Sequence, residues 1–290
     1  MDFVAGPGVH HSDTEWYRAD GQRRHAAKDT VLYAVYLWDR TLADGNVPLW
    51  LMVREAAHLS GDPYLHDLYL RYFNTYMVHA GLAPERLMLE SSAGAAVDFS
   101  ALAGQPDYVQ FFYYALSCDK TFGQTPGVVR GRSAARCLPM AAATLLQPPC
   151  ATHQLMGYMF MRQRRCEDPR QVDAQIARLQ DRIVAELHWD PRVIDPYVQR
   201  VLMLYWTDAA GRVQPVWLQR VLAAQQPDGG WADQQEIART KSGRWLGFGG
   251  YDQRFLSLHP APSSFHTTAQ GLLLMSMVAY GRGASHGTAP

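Results

Sequence analysis

Three residues of this chain join a titratable side chain to a place at the start of an apolar helix: His266, His153 and Asp195. His266 lies in Pro262-Ser263-Ser264-Phe265-His266-Thr267-Thr268-Ala269-Gln270-Gly271, just ahead of the apolar run Leu272-Leu273-Leu274-Met275. A helix N-terminus gathers unpaired amides and the positive end of the helix dipole, which favour negative charge nearby. Together with burial, that setting favours a neutral imidazole, able to accept a proton or bind a metal. A core histidine bonded to a backbone carbonyl is the structural alternative. His153 follows Pro148-Pro149-Cys150-Ala151-Thr152 and opens a second apolar helix (Leu155, Met156, Tyr158, Met159, Phe160), unless Thr152 merely caps and His153 is a surface residue. Asp195 heads Asp195-Pro196-Tyr197-Val198-Gln199, a cap-plus-proline helix start that needs no further role. Two imidazoles and a carboxylate are a legitimate first-row metal set. The candidate catalytic residues are therefore His266, His153 and Asp195, and a divalent metal, if one is bound, is expected on His266 and His153. The candidate substrate-binding residues are Tyr197, beside Asp195, and Trp245, Phe248 and Tyr251 of a Gly-rich loop.

The elements that must position these residues read as helices. Stretches of helical periodicity, punctuated by Gly, Pro and Asp, cover roughly Asp29–Asp44, Pro48–Ser60, Tyr64–His79, Ala95–Ala103, Pro106–Thr121 and Ser133–Leu146. They continue at Thr152–Arg164, Pro169–His188, Ile194–Asp208, Pro215–Ala224 and Ser264–Gly281. No run of β-branched residues alternates with period two between turns. The expected fold class is all-α, with about eleven helices joined by short turns. The last helix is apolar on every side from Leu272 to Met275, so it should be an inner one. Ahead of it, Pro227-Asp228-Gly229-Gly230 is strong turn chemistry, because Gly supplies the positive φ that a tight reversal needs.

Gln225-x-x-x-Gly229-x-Trp231 and the later Phe265-His266-Thr267-Thr268 resemble segments of the terpenoid cyclase and protein prenyltransferase superfamily, over about 65 residues. The Gln225–Trp231 segment is similar to the end of that superfamily's QW repeat. The Phe265–Thr268 segment is similar to the one that carries the zinc-ligand histidine of prenyltransferase β-subunits. The resemblance implies an α/α toroid, in which inner helices share a direction, so that His266, His153 and Asp195 would face one mouth beneath the Gly-rich loop. It also implies an apolar cavity lined by aromatics. Two departures stand beside it. No Asp-x-Cys completes the prenyltransferase zinc site, and no Asp-x-Asp-Asp supplies the acid of the squalene-type cyclases.

Composition sets the outer bounds. The chain has 290 residues, 48% of them hydrophobic and 19% charged, which is the composition of a globular protein with a sizeable core. The expected organisation is an extended arm over 1–24, one toroid domain over 25–282 and a flexible tail over 283–290. With 27 basic and 27 acidic residues there is no electrostatic footprint for nucleic acid, and a small-molecule ligand is the expected partner. No apolar run approaches the length of a membrane span. The start Met1-Asp2-Phe3 lacks a signal-peptide pattern, so the expected location is cytoplasmic, or periplasmic if a leader has been removed. Cys118, Cys137, Cys150 and Cys166 form no Cys-x-x-Cys pair, and four free buried thiols are the simpler expectation. Two disulfides in an oxidising compartment are the alternative. Neither of the Gly-rich stretches, Gly123–Gly131 and Gly243–Gly250, matches a phosphate-binding loop, and no Gly-x-Ser-x-Gly elbow occurs.

Three functions follow as expectations. The first is an enzyme with an apolar, aromatic-lined cavity that acts on a small or lipid-like substrate by acid–base or metal-assisted chemistry. Next comes a non-catalytic binding protein on the same fold. The third is a carbohydrate-active hydrolase or lyase, which would need paired carboxylates.

Overall fold

The computed structural model describes residues 46–77, 84–89, 98–133, 151–190, 192–226, 229–241, 245–248, 256–258 and 262–281. The expected helices from Asp29 and Ser133, the N-terminal arm, the C-terminal tail, Tyr251, Cys137 and Cys150 lie outside the described residues. The described residues are mostly helical, as the periodicity predicts, and fall into two compact units. The first takes in 46–74, 192–202 and 214–281, and the second 75–190 and 203–213.

The first unit begins with α1 (Val47–Ser60) and α2 (Pro63–Tyr72). Pro48 opens α1, and Gly61 closes it in the left-handed conformation at φ 63°. Asp62 then accepts hydrogen bonds from the amides of Tyr64 and Leu65, with Pro63 at the first helical position. Trp50 of α1 stacks on Tyr72 of α2, ring centroids 4.1 Å apart. The second unit holds α3 (Glu85–Leu89), α4 (Asp107–Ser117), α5 (Pro126–Arg132), α6 (Ala151–Arg164) and α7 (Pro169–Trp189). There α4 packs against α5 and α6, and α6 against α7. The next helix, α8 (Asp195–Trp206), contributes its first residues to the first unit and its last to the second. The first unit resumes with α9 (Pro215–Ala223) and ends with α10 (Phe265–Tyr280), which packs along α1. Ser264 caps α10 by accepting from the Thr267 amide at 3.2 Å. As expected of an inner helix, α10 is buried without interruption from Thr267 to Met277.

Short strands join the helices, which the sequence did not announce. β1 (Trp231–Ala232) pairs antiparallel with β5 (Ser263–Ser264). β2 (Gln235–Arg239), β3 (Trp245–Phe248) and β4 (Leu256–Ser257) form a three-stranded antiparallel sheet with a bulge between Glu236 and Ala238. β2 is exposed from Glu236 to Arg239, so it carries no buried alternating face, and that face is the signal a strand search relies on.

The turn before β1 is closed by three bonds: Gln226 N–H to Gly230 O, Gly229 N–H to Gln226 O, and Gln225 Nε2 to Gly229 O. Gly229 sits at φ 86°, the positive value expected of it. Trp231 is 1% exposed and donates its indole N–H to Val221 O of α9 at 2.7 Å. Its backbone amide donates to Thr268 Oγ1 of α10, and its ring lies on Gly271, where a Cβ would collide with the indole. Gly271→Ala is therefore expected to lower stability by about 1–3 kcal/mol through overpacking. An exposed helical glycine would instead gain from the same change. A denaturant midpoint that rises in the variant would refute the contact.

In the second unit Cys118 ends α4 in the left-handed region, at φ 56°, and is disulfide-bonded to Cys166 in the turn between α6 and α7. Their Cα atoms are 5.0 Å apart, within the range a disulfide spans. This corrects the expectation of free thiols for that pair. The two cysteines are 48 residues apart and meet only because α4 packs on α6, which spacing does not reveal. Next to the bridge, Glu167 accepts from Arg132 and from the Tyr114 hydroxyl, each at 2.7 Å. Burial, and then the Glu167 carboxylate, push the Tyr114 hydroxyl above its ordinary pKa.

Candidate functional site

In α10, positions 266, 267 and 270 fall on one side of the helix, because residues three and four apart lie one above the other. That side meets the first residue of α8. His266 Nδ1 is 2.6 Å from Asp195 Oδ1, and Gln270 Nε2 donates to the same oxygen at 2.9 Å. Thr267 Oγ1 stands 3.5 Å from it. Asp195 is 1% exposed, while His266 keeps 35% of its side chain exposed. A buried carboxylate needs partners to offset the loss of water, and here they come from another helix. The expectation that Asp195 could be nothing more than a cap is thus replaced by a pairing across the unit.

Another carboxylate adjoins this one. Asp233, in the link between β1 and β2, accepts from Ser264 Oγ at 2.6 Å and from Thr267 Oγ1 in a short hydrogen bond. The pairing of β1 with β5 sets this up: Ala232 lies opposite Ser263, which delivers Asp233 to the N-terminus of α10. The start of α8 is held as well. Gln235 Oε1 accepts from the Val193 amide at 2.6 Å, and Gln235 in turn lies opposite Phe248 in the sheet.

Chemically, the His266–Asp195 pair resembles the orienting half of an acid–base catalytic set. A carboxylate that accepts from Nδ1–H fixes the ring and its tautomer, so that proton exchange falls to Nε2. The carboxylate also stabilises the positive charge the ring gains on taking a proton. Charge-assisted hydrogen bonds of this length are among the stronger ones.

The remaining candidates are placed as follows. Tyr197 is fully buried in the first turn of α8. Trp245 and Phe248 are the end residues of β3. His153 belongs to the second unit, in α6, where its ring stacks on Tyr108 at 4.3 Å and lies 6.3 Å from Phe112. Among the described residues no three His, Cys, Asp or Glu side chains form a group that could hold a metal ion. Asp233, Thr267 and Gln270 are the residues that sequence reasoning passed over. Gln270 carried a signal: a lone amide four residues after His266, between the helix cap and an unbroken apolar run. Asp233 carried none, since an isolated acid after a turn is ordinarily a turn-former.

No family model matches the chain, and no curated protein or solved structure matches it.

Proposed function

We propose that the protein is an enzyme in which His266 exchanges a proton with the substrate and Asp195 orients and charges the imidazole. The observation that carries this reading is the 2.6 Å contact between a partly exposed imidazole and a carboxylate that is 1% exposed. A carboxylate sealed in this way cannot itself meet a substrate, which leaves proton exchange with one to the ring. An apolar, small or lipid-like substrate remains the proposed class, supported by the resemblance of the Phe265–Thr268 segment alone. The α/α toroid remains the proposed architecture, supported by the Gln225–Gly229–Trp231 turn stapled onto α10. The disulfide supports an oxidising compartment, as such bonds persist there and are rare in the cytosol. Among the described residues no helix is long and apolar enough to cross a membrane.

The test compares the wild-type chain with His266→Gln and Asp195→Asn on a panel of apolar esters, epoxides and prenyl compounds. Removing the base is expected to lower turnover on the order of 10²–10⁴-fold. Asp195→Asn, which would present its amide N–H to the ring and favour the wrong tautomer, is expected to lower it about as much. Turnover equal to wild type in His266→Gln would sink the reading. Tight binding of a panel compound with no turnover would favour the non-catalytic alternative.

A further inference from the structure

The hydrogen-bond ledger of the Asp195 cluster does not close: a carboxylate oxygen and an amide oxygen in it have no donor. Asp195 Oδ1 takes donors from His266 and Gln270, while Asp195 Oδ2 is buried with no hydrogen-bond partner among the described residues. Gln270 is 0% exposed, and with its Nε2 committed to Asp195 its Oε1 is a further buried acceptor without a donor. The amide cannot be flipped to cure this, because Oε1 would then face the carboxylate. Thr267 has one hydroxyl proton and two carboxylates in reach, and the shorter contact assigns that proton to Asp233. The lone pairs of Thr267 Oγ1 then lie within reach of Ser264 Oγ, 3.1 Å away, and of Asp195 Oδ1 at 3.5 Å.

Unpaired buried acceptors are costly, and two carboxylates linked through one hydroxyl repel each other. We infer that Asp195, Asp233, Thr267 and Gln270 together form a binding site for one hard divalent cation of the calcium or magnesium class. All four offer oxygen, two of them anionic and two neutral, which is the donor set such ions take. The orphan acceptors are fully buried, so the occupant is a small desolvated ion rather than a substrate ammonium. His266 is not a ligand, since its Nδ1 is committed to Asp195, and its ring instead supports a ligating carboxylate from outside the coordination sphere. The cation site stands whether or not His266 acts as an acid–base group.

Chelator-stripped protein titrated with CaCl2 and with MgCl2, by calorimetry and by elemental analysis after dialysis, tests the site. One ion is expected per chain, with a rise in the thermal midpoint. Gln270→Met, which keeps the volume but removes the oxygen, and Asp233→Asn are expected to weaken binding at least about tenfold. His266→Gln is expected to weaken it by about 10–100-fold, the cost of losing a partner that orients a ligating carboxylate. If Asp233→Asn does not fold, the Gln270→Met result decides. Absence of both heat and thermal shift with either ion overturns the inference, the acceptors then being satisfied by buried water. A site that binds no ion while His266→Gln still abolishes turnover would remove the cation and leave the catalytic reading standing.

Discussion

Trp231→Ala is expected to cost about 3–5 kcal/mol of stability, the range for truncating a fully buried large aromatic. Trp231 is held at three points on two helices: its indole N–H closes on Val221 O at the end of α9, and in α10 its ring covers Gly271 while its backbone amide donates to Thr268. Alanine keeps the last of these and loses the rest. It would leave a cavity against a helix that cannot move in to fill it, because α10 also packs along α1. Trp231→Phe separates the two losses. It keeps most of the ring but loses the bond to Val221 O, which retains the Ala224 amide at 3.2 Å, for an expected cost of about 0.5–1.5 kcal/mol. Urea unfolding of both variants measures the effect, and a loss below about 1 kcal/mol for alanine would show that the residue is no staple.

Breaking the Cys118–Cys166 bridge is expected to cost about 4 kcal/mol, the chain-entropy value for a loop of 48 residues. The adjacent Glu167–Arg132 and Glu167–Tyr114 bonds do not substitute for it, because partly exposed ion pairs contribute little by themselves. The measurement is the denaturant midpoint with and without dithiothreitol, alongside the double variant Cys118→Ala/Cys166→Ala. Wild type should fall to the level of the variant on reduction, and the variant should not respond. Equal midpoints in all three samples would mean that the bond does not form in solution.

What the sequence disclosed is local, and what it withheld is long-range. Helix starts were legible because a cap and a proline sit side by side, as at Asp62-Pro63 and Asp168-Pro169, and in both places the aspartate accepts from the following amides. Ser264 and the Gly229 turn were legible for the same reason. Trp231 could be read as a staple because the motif that contains it is only seven residues long. The partnership of Asp195 with His266 spans 71 positions, and that of Asp233 with Thr267 spans 34. No spacing rule reaches across such gaps without a fold in hand. β2 escaped for a different reason, its exposed face offering no hydrophobic pattern to read.

The bridge between α4 and the α6–α7 turn also changes what counts as one molecule. Every peptide bond from Cys118 to Cys166 lies inside a covalent ring, so a single protease cut there opens the ring without releasing a piece. Protein cut at one peptide bond inside that stretch should show an intact mass raised by one water and a single band on a non-reducing gel. Reduction should then resolve the same sample into two bands. Nicked protein prepared in this way gives two segments that can be unfolded, separated and re-paired through one recoverable bond.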